Sequence, residues 1–140
     1  MSEEPTTPKL VELVRRRVEA ADSGDIDAMT SFFAPDAVWD STPMGLEVYE
    51  GRAAIGRFFA DWWGTYDASA AEAEEIVEFA NGVTLAVIVF NGRPVGSSAN
   101  VRWRYAAVSS WVDSTVSRET NYTDIDAARA AAERLATEQE

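Results

Sequence analysis

The apolar residues of this chain change their spacing partway along it, and that change restricts the folds open to it. Up to Trp63 they recur at helical intervals; from Glu72 onward they alternate, or run together between turn signals. The spacing predicts a first helix from about Pro8 to Ser23, with Leu10, Leu13, Val14 and Ala21 on one face and residues 1–7 as a loose tail. Ser23-Gly24-Asp25 stops that helix, and Asp25 is a good N-cap for a second. The second carries Ile26, Met29, Phe32 and Phe33 and ends before Pro35. A short strand at Ala37–Asp40, a loop at Ser41–Gly51 and a third helix at Arg52–Trp63 follow. That helix places Ile55, Phe58, Phe59, Trp62 and Trp63 on one stripe.

Strands are expected at Glu72–Phe79, Val83–Phe90, Ser97–Val112 and Val116–Thr123. Asn81-Gly82, Asn91-Gly92 and Asp113-Ser114 are read as the turns between them. Ala68–Ala73 reads as a connector, and Ala127–Ala136 as a last helix capped by Asp124. Helices followed by antiparallel strands define an α+β class, here as one domain over residues 1–140 with no internal repeat.

What the chain lacks restricts its chemistry further. It has no Cys and no His, which removes disulfides, thiolate nucleophiles, Ser-His-Asp triads and nearly every zinc site. Lys9 is the only lysine, and the glycines nowhere form a dinucleotide-binding fingerprint. No cofactor or metal is therefore expected, and chemistry falls to carboxylates, Arg, Tyr, amides and hydroxyls. A formal charge of −12 opposes both nucleic acid and anionic membranes. The best apolar run, Val83–Phe90, is far short of the roughly 18–20 residues that cross a bilayer. Met1-Ser2-Glu3-Glu4-Pro5 shows no hydrophobic signal segment, so a cytoplasmic location is expected.

Several local strings carry a resemblance. Ser23-Gly24-Asp25-Ile26-Asp27-Ala28, Phe33-Ala34-Pro35-Asp36-Ala37-Val38-Trp39-Asp40, Gly51-Arg52-Ala53-Ala54-Ile55 and Tyr122-Thr123-Asp124 resemble the SnoaL-like branch of the nuclear transport factor 2-like superfamily. The resemblance covers roughly residues 10–130. It implies a cone, in which a curved antiparallel sheet wraps the N-terminal helices and encloses a pocket. It also implies pocket walls at Phe33, Phe59, Trp63, Trp103, Tyr105 and Ser109, and a homodimer. Asp40 stands where ketosteroid isomerase, a relative in that superfamily, keeps its general base. Arg17 stands in place of that enzyme's oxyanion-hole tyrosine, and Ala107 in place of its protonated aspartate; a steroid isomerase needs both donors to stabilise its dienolate. Asn121 stands where limonene epoxide hydrolase has its catalytic acid, and an amide cannot protonate an epoxide. Both templates turn Asn121 toward the pocket.

The residues themselves leave alternatives open. At about 100° per residue Arg17 falls between Leu13 and Leu10, inside the apolar stripe. It either snorkels out at the stripe's edge or enters the pocket, where Glu119 or Asp40 would partner it. Asp40, before Ser41-Thr42-Pro43, is either a turn former or a base among aromatic rings. Alternation places Glu119, Asn121 and Thr123 on one strand face, which is either solvated or turned to the pocket. Trp103, Tyr105 and Trp111 share a face that suits a core, a dimer interface or a ligand.

Two functions fit. One is a cofactor-independent enzyme acting on a small, partly hydrophobic carbonyl compound by isomerisation, aldol-type cyclisation or dehydration. In it Asp40 moves a proton and Asn121, with Tyr105 or Arg17, stabilises the enolate. The other is a non-catalytic module of the same fold, which binds a small molecule in its aromatic pocket or serves as a dimeric interaction module through its sheet face. A dimer of either kind would cover the outer face of the sheet with a second copy.

Overall fold

In the computed structural model, which describes residues 9–138, helix α1 spans Leu10–Ser23 and buries Leu13, Val14 and Ala20. Its expected start at Pro8, and the tail 1–7, lie outside the described residues. Gly24 ends it in the left-handed region at φ 69°, and the Asp25 carboxylate accepts from the Ala28 N–H to cap α2, Ile26–Ser31. Strand β1 then runs Phe33–Asp40, four residues longer than expected, through an irregularity between Phe33 and Val38 that accommodates Pro35. The loop expected at Ser41–Gly51 contains a 3-10 turn at Thr42–Met44 and a short strand β2, Val48–Glu50. Helix α3 spans Arg52–Gly64 and buries Ile55 and Phe59.

The remaining elements are β3 (Tyr66–Phe79), β4 (Val83–Pro94), β5 (Val101–Val112), β6 (Thr115–Tyr122) and α4 (Ile125–Glu138). Two turn assignments hold: Asn81-Gly82, both at positive φ, and Asp113-Ser114 at φ 49° and 69°. At Gly82 a Cβ would lie 2.8 Å from the Trp111 carbonyl oxygen, so glycine is required by space as well as conformation. Asn91-Gly92 is not a turn. Both residues are in β4, Asn91 opposite Ala70 and Gly92 opposite Ser69, and the Tyr66 ring lies over Gly92 where a Cβ would be. The supposed connector Ala68–Ala73 is part of β3. Its small residues pair with the extended β4 across irregularities at Tyr66/Ala68 and Ala73/Glu75.

The strands form one six-stranded sheet in the order β2-β1-β6-β5-β4-β3, curved and unclosed. The sheet is antiparallel throughout except at the pairing of β1 with β6, which is parallel. Register lines the residues up in rows across the strands. Trp39, Glu119, Ser109 and Thr84 form one row on the inner face, and Asp40, Thr120, Val108 and Leu85 the adjacent row on the outer face.

Two apolar clusters lie on opposite sides of the sheet. The inner one joins α1, α2 and α3 to Phe33, Trp39, Ala86 and Trp111. The outer one seats α4 on Val83, Leu85, Val87, Ala106 and Val108 through Ala128, Ala132 and Ala136, one small residue per turn. The outer face around Leu85, Val87, Ala106 and Val108 is thus covered by the chain's own last helix. Asp124 caps α4 through the Ala127 N–H, and Asn81 donates to the Ala136 carbonyl at its far end. No helix among the described residues is long and apolar enough to cross a membrane.

Candidate active site inside the cone

The cone interior is divided into two lobes of about 50 Å³ each, sharing Trp39, Trp63 and Tyr105 as a common wall. One water needs about 10–15 Å³ on such a scale, so each lobe accommodates a few waters or part of a small flat molecule. Tertiary hydrogen bonds hold the helices at the rim: Trp63 Nε1 donates to the Ala21 carbonyl at 3.1 Å, and the Ala71 N–H to Asp22 at 2.9 Å.

The first lobe holds Arg17, whose side chain is 15% exposed, so it enters the cone rather than snorkelling out. Its guanidinium forms an ion pair with Glu119, donates to Ser109 Oγ at 3.4 Å, and stands 5.0 Å from the Phe33 ring centroid and 5.8 Å from that of Trp111. Ser109 Oγ donates in turn to the same Glu119 oxygen at 3.0 Å. Glu119 is 1% exposed, and among the described residues it is the only carboxylate lining either lobe. Trp111 Nε1 donates to Thr84 Oγ1 at 2.9 Å behind this cluster. The Tyr105 hydroxyl titrates well above its ordinary value: burial raises it most, Glu119 raises it further, and Arg17 opposes both.

The second lobe has no charged wall. Phe58, Trp62, Trp63, Phe90 and Trp103 enclose it, with Ser41 and Asn121 as its polar members. Asn121 Nδ2 donates to Ser41 Oγ at 3.2 Å. Asn121 Oδ1 and Trp39 Nε1 are the two buried side-chain polar atoms without a hydrogen-bond partner among the described residues.

Nine of the ten residues expected to act in or wall the pocket line the cone: Arg17, Phe33, Phe59, Trp63, Trp103, Tyr105, Ser109, Glu119 and Asn121; Trp111 and Thr123, placed on the same strand faces by alternation, line neither lobe. Asp40, the tenth, does not line the cone, which corrects its expected place among the aromatic rings. Its carboxylate accepts from Thr42 N–H at 2.9 Å, from Thr42 Oγ1 at 2.6 Å and from Arg118 at 2.7 Å on the outer face. Partial burial pushes its pKa up, but the Thr42 and Arg118 bonds outweigh this and lower it below the ordinary carboxylate value. The turn-forming alternative describes this geometry. Trp39 takes the inward position instead and was missed. The signal was its alternation with Asp40 and Val38, obscured by the irregular strand upstream.

Among the described residues, no group of three or more acidic side chains is placed to hold a metal ion. A buried carboxylate held against a guanidinium in an aromatic cavity can accept, hold or return one proton of a bound molecule.

Residues 14–119 match the SnoaL-like domain, and the chain belongs to that family. Solved structures share the fold. One is a hypothetical protein of ketosteroid isomerase-like fold from Catenulispora acidiphila, in complex with trimethylamine (17% identity over 91% of this chain and 95% of that one, TM-score 0.71). Another is an uncharacterized cystatin-fold protein from Novosphingobium aromaticivorans (19% identity, 82% and 98%, TM-score 0.71). A third is TerC co-crystallized with polyporic acid (16% identity, 88% and 97%, TM-score 0.68). No curated protein matches the chain.

Proposed function

We propose that the cone binds a small, flat, largely apolar carbonyl compound and that Glu119 moves a proton on the carbon next to its carbonyl. The observation that carries this reading is the isolation of Glu119: among the described residues it is the single carboxylate lining the cavity, 1% exposed, with Arg17 against it. In the resting site the charges of Arg17 and Glu119 balance. When Glu119 takes the proton it becomes neutral, and the negative charge reappears on the substrate as an enolate. Arg17 can then turn its guanidinium to the enolate oxygen, so the net charge of the buried site is constant along the step. Ser109 follows the same shift by hydrogen bonding to either oxygen. Isomerisation, aldol-type cyclisation and dehydration all begin this way, and the step needs no cofactor. The role expected of Asp40 passes to Glu119 because only Glu119 reaches the interior. The ligand-bound structural neighbours support a small-molecule site of this kind.

Deuterium exchange tests the step. Phenylacetone incubated with the protein in D2O should gain deuterium beside its carbonyl faster than in buffer, as read by proton NMR. Glu119→Gln should return the rate to background, and Asp40→Asn should leave it unchanged. Loss of exchange in Asp40→Asn with retention in Glu119→Gln would reverse the assignment. A second reading, binding without chemistry, is favoured by the ion pair itself, in which Arg17 and Ser109 both bond the same Glu119 oxygen; quenching of the cavity tryptophans without exchange would establish it. A homodimer belongs to the same proposal. Val48 on edge strand β2 (44% exposed) and Leu46 beside it (41%) are apolar side chains a second copy would cover. Light scattering should then return twice the 15.3 kDa chain mass.

A further inference from the structure

The sheet ends at β3, a strand of 14 residues that pairs on one side with β4 and on the other with no strand. Among the described residues, one hydrogen bond reaches the backbone of that open side: the Ala71 N–H donates to the Asp22 carboxylate at 2.9 Å. Past Ala71 the edge runs on to Phe79 with its outward N–H and C=O groups available to a further strand. A groove of about 430 Å³ lies along this stretch, between α1 and residues 71–76. Its walls fix its position. Ala71 lines the first lobe and Ile76 packs on the inner cluster, so both face the cone. Glu74 and Glu75 face the other way, bonding Arg104 and, from α4, Arg129. A groove walled by residues of both faces lies against the edge of the strand rather than on either face. Its charge is one-sided: Glu19, Asp22, Glu72, Glu74 and Glu75 line it against the single guanidinium of Arg15, which is 3.7 Å from Glu12. Glu19 and Glu72 are exposed and have no ion-pair partner among the described residues.

We infer that the open edge of β3 docks a basic peptide segment of another protein, which adds to the sheet as an extended strand. Main-chain hydrogen bonds to β3 supply the affinity, and alternate side chains supply the selection. Those turned toward α1 meet Val18 and Ile76, which suit a small apolar residue; those turned the other way meet Glu72 and Glu74, which suit Lys or Arg. Glu19 and Asp22 add to the same field from the helix side. A second copy of this chain is not the occupant. Edge-to-edge pairing of two copies would set these carboxylates against one another, in a chain of formal charge −12. The edge is thus closed to itself and open to a partner of opposite charge. This inference goes beyond the proton-transfer reading and does not depend on it.

The experiment titrates the full-length protein with the capped peptide Lys-Val-Lys-Val-Lys-Val-Lys, following backbone amide resonances and their exchange with D2O. The controls are Lys-Val-Lys-Pro-Lys-Val-Lys, which keeps the charge but cannot pair as a continuous strand, Glu-Val-Glu-Val-Glu-Val-Glu, and spermidine as charge without a backbone. The first peptide should shift the amides of residues 72–78 and slow their exchange. It should bind about tenfold or more tightly than the proline form, the effect of losing one or two backbone hydrogen bonds. The acidic peptide should leave the spectrum unchanged. Glu19→Lys combined with Glu72→Lys should weaken the basic peptide by about 3- to 30-fold, and both positions are exposed, so the thermal melt should stay in place. Equal binding of the proline form, binding of the acidic peptide, or the same shifts at the same concentration of spermidine would overturn the inference. So would shifts confined to β2 at the other edge of the sheet, or no binding at all. Amides of residues 73–78 already protected in the free protein would overturn it as well, since a second copy or another segment of the chain would then close the edge.

Discussion

Arg17 and Glu119, 102 residues apart in the chain, meet inside the cone as an ion pair that Ser109 hydrogen-bonds from both sides. The pair joins the middle of α1 to the middle of β6. It therefore serves the packing of helix on sheet as well as the chemistry of the cavity. Removing one partner strands the other charge in an aromatic enclosure. Arg17→Met, which roughly keeps the stem, should cost about 3–5 kcal/mol in denaturant melts. Adding Glu119→Gln should recover part of that loss. A change within about 0.5 kcal/mol for the single variant would mean the pair carries no net energy.

Asn121→Leu should raise stability in the unliganded protein, within about 1–3 kcal/mol, because it replaces an unmatched amide oxygen by apolar surface among aromatic rings. Its lost bond to Ser41 works against this gain. A thermal melt that falls by several degrees would show that the amide is satisfied in solution.

The outer-face carboxylate gives a pH test. Asp40 has its pKa lowered in the folded protein, so the stability it contributes is present above its ordinary value of 3.8 and is lost as pH falls through the lower folded value. Asp40→Asn should cost about 1 kcal/mol or less at neutral pH, given that Arg118 is half exposed. The difference between the two proteins should narrow as the pH is taken below 3.8.

Tyr105 works in the opposite range. Its folded pKa lies above the ordinary 10.0, so its contribution is complete below that pH and declines as the pH rises past it, where the unfolded chain ionises first. Tyr49 and Tyr66 are shifted in the same direction, both mainly by burial. Tyr105→Phe should therefore reduce, without abolishing, the fall in stability above pH 10, measured by melts at stepped alkaline pH.

Gly92→Ala should destabilise by about 1–3 kcal/mol, the range for forcing an extra methyl into a packed contact. A Cβ there would come within 2.5 Å of the Tyr66 ring. Tyr66→Ala should relieve most of that specific cost in a double-mutant cycle; strict additivity would place the origin of the glycine elsewhere.

The local pattern alone determined the kind of each main element. Apolar spacing defined the three N-terminal helices, Asp25 and Asp124 capped α2 and α4, and Asp113-Ser114 made a hairpin, because these depend on residues within a few positions of one another. Helical periodicity also singled out Arg17 as a cation within an apolar stripe. Tertiary structure decided what no short window contains. An irregularity upstream in β1 and its parallel pairing with β6 put Trp39 inside and Asp40 outside, and a one-residue change of register exchanges the two faces. The Tyr66 ring made Gly92 a strand residue where its dipeptide signals a turn. The outer faces of β4 and β5 needed a cover, and only the assembled sheet shows that the small residues of α4 supply it. Helix spacing and caps act over one turn of chain; the side a residue faces, and what it meets there, depends on partners up to a hundred residues away.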